Sequence, residues 1–340
     1  MRRFAAFMLC ALAGVAFARV EPRALTTQAY TFVELGTLGG NASWATHINN
    51  AGDVVGWAGA VKGPYTDIDP EYHGFVYSNG AMRDLGRAGE SSAARALNDS
   101  GSIAGYTDSA GVVTWQRGRQ NVLAMRGTPY DMNRAGTVVG TYDGAAGDFR
   151  AFVYRSGVLH ELGTLGGAWS SGAAINDRDV VVGSSVTRDG KVRGFVHERG
   201  VMREIGTFGG PVSQAYDVNS RGLVVGSAGN ATDGVQAFIY DGRLRPLFTP
   251  ASPQEISEAY AINDPGQVVG MRNGEGFLWS NGRLTMLRDL LTEEQKRQWG
   301  VLTPQDINDR GWIVGVASSE GVNGTAGGYR RAFLLKPGTP

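Results

Sequence analysis

Tyrosine, arginine and histidine recur in this chain at fixed offsets from a repeated asparagine. Their side chains stack on sugar rings, fork onto carboxylates and move protons. Three residues before that asparagine stand Thr46, Arg95, Tyr130, Ala173, Tyr216, Tyr260 and Gln305; five before stand Trp44, Ala93, Thr128, Ser171, Gln214, Glu258 and Thr303. Alternate residues of a strand share a face, so these two columns are expected to run together towards one loop end. The column between them is uniformly small: Ala45, Ala94, Pro129, Gly172, Ala215, Ala259 and Pro304. A further set, His73, Arg150, Arg193 and Arg331, opens another repeated strand. Converging with Tyr130, Tyr216, Tyr260, Trp44 and Trp169, these groups would suit a carbohydrate, and an acidic one if the arginine forks are free. The competing expectations are that the tyrosines wedge neighbouring units apart, and that each arginine pairs with a local carboxylate such as Asp148 or Glu198.

Two residues before the asparagine, His47, Asp131, Asp217 and Asp306 alternate with Ala96, Ala174 and Ala261. Alternate units stand too far apart for one cation's ligand shell of about 2.3–2.6 Å, so each aspartate is expected to accept backbone amides of its own loops. Asp67, Asp69 and Glu71 resemble half of a calcium loop, without its glycine and distal glutamate. The four histidines show no zinc spacing, and no GxSxG elbow, P-loop or dinucleotide fingerprint occurs. No metal and no cofactor are expected.

The asparagine belongs to a nonapeptide written seven times: INNAGDVVG, LNDSGSIAG, MNRAGTVVG, INDRDVVVG, VNSRGLVVG, INDPGQVVG and INDRGWIVG. Asn49, Asn98, Asn133, Asn176, Asn219, Asn263 and Asn308 are spaced by 49, 35, 43, 43, 44 and 45 residues. An apolar strand such as AFVY or GFLW follows each nonapeptide, and an amphipathic one such as AMRDLG follows that. A period near 43 suits four short strands per unit. In N-x-x-G the asparagine bonds local backbone and the glycine takes positive φ, with Asp179 standing in for glycine in the fourth copy. The VVG and AFVY strands are apolar on consecutive residues, so both of their faces should be covered.

Units covered on both faces by their neighbours describe an all-β, seven-bladed β-propeller with four antiparallel strands per blade. The last repeat ends at AFLLKPG without its fourth strand, while YTFVELG stands spare at residues 30–36. Residues 30–36 are therefore expected to complete blade seven in a three-plus-one closure. The single domain spans 30–337, followed by a 338–340 tail. Two insertions interrupt the period: AVKGPYTDIDPEYHGF in blade one, expected to overhang the loop face, and LLTEEQKRQWGVLTP before blade seven. Thr292 with Gln295 reads as a capping box, placing a short helix within about 291–300, pinned by Trp299 as a lid or a plug.

The nonapeptides, the (R/H)-(A/G)-F-(V/L) strands and the LGTLGG segments together resemble the bacterial HAF extracellular repeat family, named for a His-Ala-Phe tripeptide. The resemblance covers residues 30–337. Only His73 keeps the histidine; Arg150, Arg193, Arg331, Gln236 and Glu275 replace it elsewhere. The resemblance implies a propeller-type fold and export from the cell, and it carries over no catalytic residue.

Composition agrees with such a domain. Lysine plus arginine equal aspartate plus glutamate at 32 each, which argues against nucleic acid as partner. Glycine stands at 51 of 340 residues with 12 prolines, pointing to many tight turns. Residues 1–18 read as a signal peptide: basic MRR, a short apolar run, and Ala16-Phe17-Ala18 as cleavage site, with a linker at 19–29. Its removal takes away Cys10, the single cysteine, and two arginines, leaving a net charge of −2. A secreted or periplasmic monomer without disulfides or a membrane span is expected.

Two functions fit. One is a non-catalytic binding protein recognising a glycan or a protein on its loop-rich face. The ligand-binding residues are then Trp44, Thr46, Arg95, Tyr130, Tyr216, Tyr260, Glu258, Gln305, His73, Arg150, Arg193, Arg331 and Trp169. The alternative is a polysaccharide lyase or hydrolase acting on an acidic polysaccharide at the channel mouth. It would use His47 or His73 as base, Tyr130, Tyr216 or Tyr260 as acid, and Arg95 or Arg150 as charge clamp.

Overall fold

The computed structural model describes residues 30–63, 69–123, 125–144, 148–319 and 328–338. Residues 1–29, read above as signal peptide and linker, lie outside them, as do Asp67 and the last two residues. Seven four-stranded antiparallel sheets follow one another around a ring. Blades one to six cover residues 43–84, 92–122, 127–161, 166–204, 209–246 and 257–286. Within each, the strands are called a to d from the channel outwards. Blade seven takes strands a to c from Val301–Ile307, Ile313–Ser318 and Arg330–Pro337, and strand d from Tyr30–Glu34. That closing strand runs antiparallel to Arg330–Pro337, from Tyr30 opposite Pro337 to Glu34 opposite Phe333.

Strands b and c are buried as their unbroken apolar runs require. Phe75, Phe152, Phe195, Phe238, Phe277 and Phe333 of the c strands are fully buried, with Val113 in the same register in blade two. Each such side chain stabilises the fold by about 1.5–3 kcal/mol. The seam between blades seven and one packs like an ordinary blade interface, uniting Ala45, Ile48 and Phe75 with Val314, Ala332 and Leu334. A helix at Glu293–Gln298 carries the Thr292–Gln295 capping box. Trp299 behind it is 3% exposed, its ring 6.0 Å from that of Phe32 on the closing strand. The insertion thus braces the closure and contributes nothing to the channel lining.

Strand a of every blade carries a β-bulge. In blade one Ala45 pairs with Gly56 and His47 with Val55, leaving Thr46 as the extra residue, and the same shift recurs in all seven copies. The glycine of each VVG sits against this bulge. A Cβ on Gly183 would lie 2.0 Å from the Ser171 carbonyl oxygen, and one on Gly270 1.9 Å from that of Glu258. No side chain fits there.

Each repeated asparagine has two jobs. Its Oδ1 accepts amides of its own turn; Asn219, for example, accepts from Arg221 at 3.1 Å and Leu223 at 3.0 Å. The turn closes with Gly222 at φ 82°, and with Asp179 at φ 61° in blade four. The Nδ2 group then donates to the backbone carbonyl of the asparagine one blade on. The bonds run 49 to 98, 98 to 133, 133 to 176, 176 to 219, 219 to 263, 263 to 308, and 308 back to 49, at 2.9–3.4 Å. A second set of ties comes from buried serines. Ser43, Ser92, Ser170, Ser213 and Ser257 each accept the first apolar amide of the preceding blade's strand c, at 2.9–3.0 Å.

Asn219→Ala leaves buried amides and a carbonyl without partners, and is expected to cost about 1–3 kcal/mol in denaturant unfolding. Deleting residues 30–36 bares the Arg330–Pro337 edge and part of an apolar core. It should lower the melting temperature further than any single asparagine change, as followed by circular dichroism.

Candidate functional site

The bulge decides what faces the channel. An extra residue in strand a turns the backbone and re-aims the next side chains, so plain alternation does not hold along these strands. The residue three before each asparagine is the bulged one. Thr46, Arg95, Tyr130, Ala173, Tyr216, Tyr260 and Gln305 all line a cavity of about 500 Å³ at the loop end of the channel. That volume lies in the range of small-ligand sites. Trp169, Ser171, Ser184 and Gln214 complete its walls, and His47, Asp131, Asp217 and Asp306 form its floor. The same four floor residues also line a depression of about 200 Å³ on the opposite, asparagine-ringed face.

Two tyrosines are pinned to the wall. The Tyr216 hydroxyl, with one proton to donate, lies 3.0 Å from Glu258 Oε1 and 2.8 Å from Gln214 Oε1, and Tyr260 donates to Glu258 Oε2 at 2.9 Å. Their rings meet edge to face at 5.8 Å. Burial first, then the Glu258 carboxylate, pushes both phenols well above the usual tyrosine value, so neither ionises near neutrality. Tyr130, by contrast, is 39% exposed. Arg95 lies 5.8 Å from the Tyr106 ring centre, and its Nε is buried without a hydrogen-bond partner.

The floor is a charge network built on blade-to-blade ties. Asp131, Asp217 and Asp306 each accept the amide of the following residue and that of a neighbouring blade: Ile175 at 2.8 Å, Ile262 at 2.7 Å and Ile48 at 2.8 Å. One of each pair of amides thus comes from the next blade rather than from the aspartate's own loops. His47 Nε2 lies 3.4 Å from Asp131 and 3.7 Å from Asp306. Burial alone would push the imidazole down, but Asp306 and Asp131, with Asp217 behind, outweigh it and raise it to about 10. Burial and the Asp306 carboxylate raise Asp217 to about 7. Among the described residues, no three His, Cys, Asp or Glu side chains are grouped to hold a metal ion.

The basic residues opening the c strands are placed elsewhere. His73 is buried with Nδ1 2.8 Å from Asp84 and Nε2 2.7 Å from Glu71. Two acceptor-only partners require both ring nitrogens to carry protons, which leaves no lone pair for a base. Arg193 bonds Glu204 at 2.9 Å and the Pro211 carbonyl, and Arg331 bonds Glu34 at 3.2 Å and the Asn41 carbonyl. Arg150 pairs with Asp148 and reaches the Ala168 carbonyl. Each of the three arginines grips the backbone at or just before the start of strand a in the next blade, a clasp between units. Trp44 is also outside the cavity, stacked on Trp57 at 3.8 Å with Arg330 over it. Glu258 acts on the cavity through the two tyrosines. In the blade-one insertion, Asp69 turns inward to accept the amides of Asn41, Ala42 and Gly63, and Glu71 is taken by His73 and Gly89.

These features define a closed seven-bladed β-propeller with a lined channel mouth. A family model described as a protein of unknown function (DUF3466) matches residues 208–302. No curated protein matches the chain by sequence. Among solved structures, a puromycin-hydrolyzing peptidase of Mycobacterium tuberculosis shares 12% identity over 81% of this chain and 48% of its own, at a TM-score of 0.55. The extracellular domain of a B. thetaiotaomicron protein described as a one-component system shares 14% over 90% and 40%, at 0.54. TolB of Acinetobacter baumannii shares 14% over 72% and 63%, at 0.47. The chain spans less than two thirds of each of these proteins, and at such identities the peptidase and the extracellular domain speak for the fold alone. No helix among the described residues is long and apolar enough to cross a membrane.

The His47 network has a signed consequence. Its folded value lies above the ordinary 6.5, so its stabilisation is complete below that pH and is lost as pH climbs towards about 10. The melting temperature should fall across that window in the parent protein and fall much less in His47→Gln, as read by differential scanning calorimetry.

Proposed function

We propose that this chain is an exported HAF-repeat propeller, with residues 30–337 as its one domain, that binds a saccharide at the channel mouth without transforming it. The carrying observation is the cavity of about 500 Å³, where Tyr130, Trp169, Tyr216 and Tyr260 stand among hydroxyl and amide side chains. Ring faces cover the apolar face of a pyranose, and hydroxyl, amide and carboxylate groups match its hydroxyls. The reading of export rests on the basic, apolar and small-residue pattern of residues 1–18.

The distribution of charge favours a neutral ligand over a polyuronate. His73, Arg150, Arg193 and Arg331 are engaged in ion pairs, Arg95 is the one arginine on the cavity wall, and the floor carries three aspartates against one histidine. Two of the three candidate acids of the lyase scheme, Tyr216 and Tyr260, have their hydroxyls engaged by the Glu258 carboxylate, and one of its candidate bases, His73, is held between Asp84 and Glu71. For those reasons the binding role is preferred to the catalytic one, and a saccharide to a protein.

On a glycan array, Tyr130→Ala should weaken the retained sugar at least about fivefold, the value of one lost ring contact of about 1 kcal/mol. New unsaturated ends absorbing in the ultraviolet when the protein meets uronic-acid polymers would overturn the non-catalytic reading.

A further inference from the structure

We infer that the saccharide site continues outwards between blades three and four, and that its ligand is a linear, neutral oligosaccharide rather than a single sugar. This rests on the saccharide reading of the channel mouth and extends it.

A second cavity, also of about 500 Å³, opens beside the first and shares Tyr130, Trp169 and Ser171 with it. Its outer end is marked by Phe149, 55% exposed at the start of strand c in blade three. Exposure of one ring says little, but Phe149 shares the groove with Tyr130 and Trp169, and an apolar grouping of that kind is what marks a contact surface. Tyr130 and Trp169 line both cavities, and Phe149 lines the second alone. Among the described residues none of these three rings stacks on another aromatic, whereas Trp44 is covered by Trp57 and Tyr216 by Tyr260. A run of free ring faces along a groove is a platform for successive pyranose rings.

The polar lining fits the same ligand. Thr141 donates to Ser171 Oγ at 2.6 Å across the two blades, so both hydroxyls are held in place along the groove wall. Asp143 is the one charged residue of the lining and forms no ion pair among the described residues, leaving its carboxylate to accept sugar hydroxyls. Beside the acidic channel floor, such a groove repels anionic polymers. Blade three is also where Gly127 replaces the serine that five other blades carry, so the groove is bounded there by bare backbone.

The test uses 2-aminobenzamide-labelled gluco-, manno-, galacto-, xylo- and N-acetylglucosamine oligomers of one to six units, with affinity read by fluorescence polarisation. In the series that binds, affinity should rise at least tenfold between one unit and four. Phe149→Ala should abolish that rise and leave the single-sugar affinity within twofold, while Phe149→Tyr should restore it. An unchanged melting temperature shows that the loss of this exposed ring leaves the fold intact. Sugar binding with no length dependence, or with a rise that Phe149→Ala leaves intact, overturns the extended groove alone. No binding by any series overturns the saccharide reading and the groove with it. Binding of a displayed peptide library instead, lost in Phe149→Ala, assigns the groove to protein.

Discussion

Seven asparagine side chains, each donating to the backbone carbonyl of the next, close a ring of hydrogen bonds around one end of the channel. Every link is both the cap of its own turn and the tether of a neighbour, so no blade is fully satisfied alone. That condition matters in a domain whose described residues include no cysteine. Buried amides without partners cost about 1–3 kcal/mol each, and the ring removes that cost in all seven copies at once. It also fixes the height and tilt of every a strand, and with them the positions two and three residues upstream.

The bulge converts this regular scaffold into an irregular site. Its extra residue varies widely between copies, from Ala173 to Tyr130 to Arg95, while the facing VVG glycine is the same in all seven because no side chain fits there. Backbone geometry is thus held constant while the chemistry at the channel mouth is free to change. The serine and arginine ties at the other end of the a strands hold neighbouring blades together where the cavity opens.

Much of the fold was legible because repetition exposes itself. Spacing gave the blade count, the spare YTFVELG segment gave the closure, and the N-x-x-G pattern gave the turn with its positive φ at Gly222 and Asp179. What escaped was everything that crosses from blade to blade. The second role of the asparagines, the buried serines, and the grip of Arg193 on the Pro211 carbonyl join residues many positions apart whose neighbourhood no local pattern encodes. The column three before the asparagine was legible as a set. The column five before it was legible only in part: Ser171 and Gln214 reach the cavity wall and Glu258 bonds two of its tyrosines, whereas Trp44 turns away onto Trp57. Phe149 carried no signal either: next to Arg150 in an apolar strand, only its exposure sets it apart.

The closing strand is the earliest part of the domain to be synthesised, yet its partner, Arg330–Pro337, is among the last. Loop-closure entropy across nearly the entire chain must be overcome before Tyr30 can meet Pro337, a demand that slows folding in proteins dominated by distant pairings. Until then the ladder edge of blade seven stays open to any passing strand. Completion of the wheel therefore waits until the last repeat of the domain has been made, and a nascent chain stalled short of that repeat has no closed channel mouth.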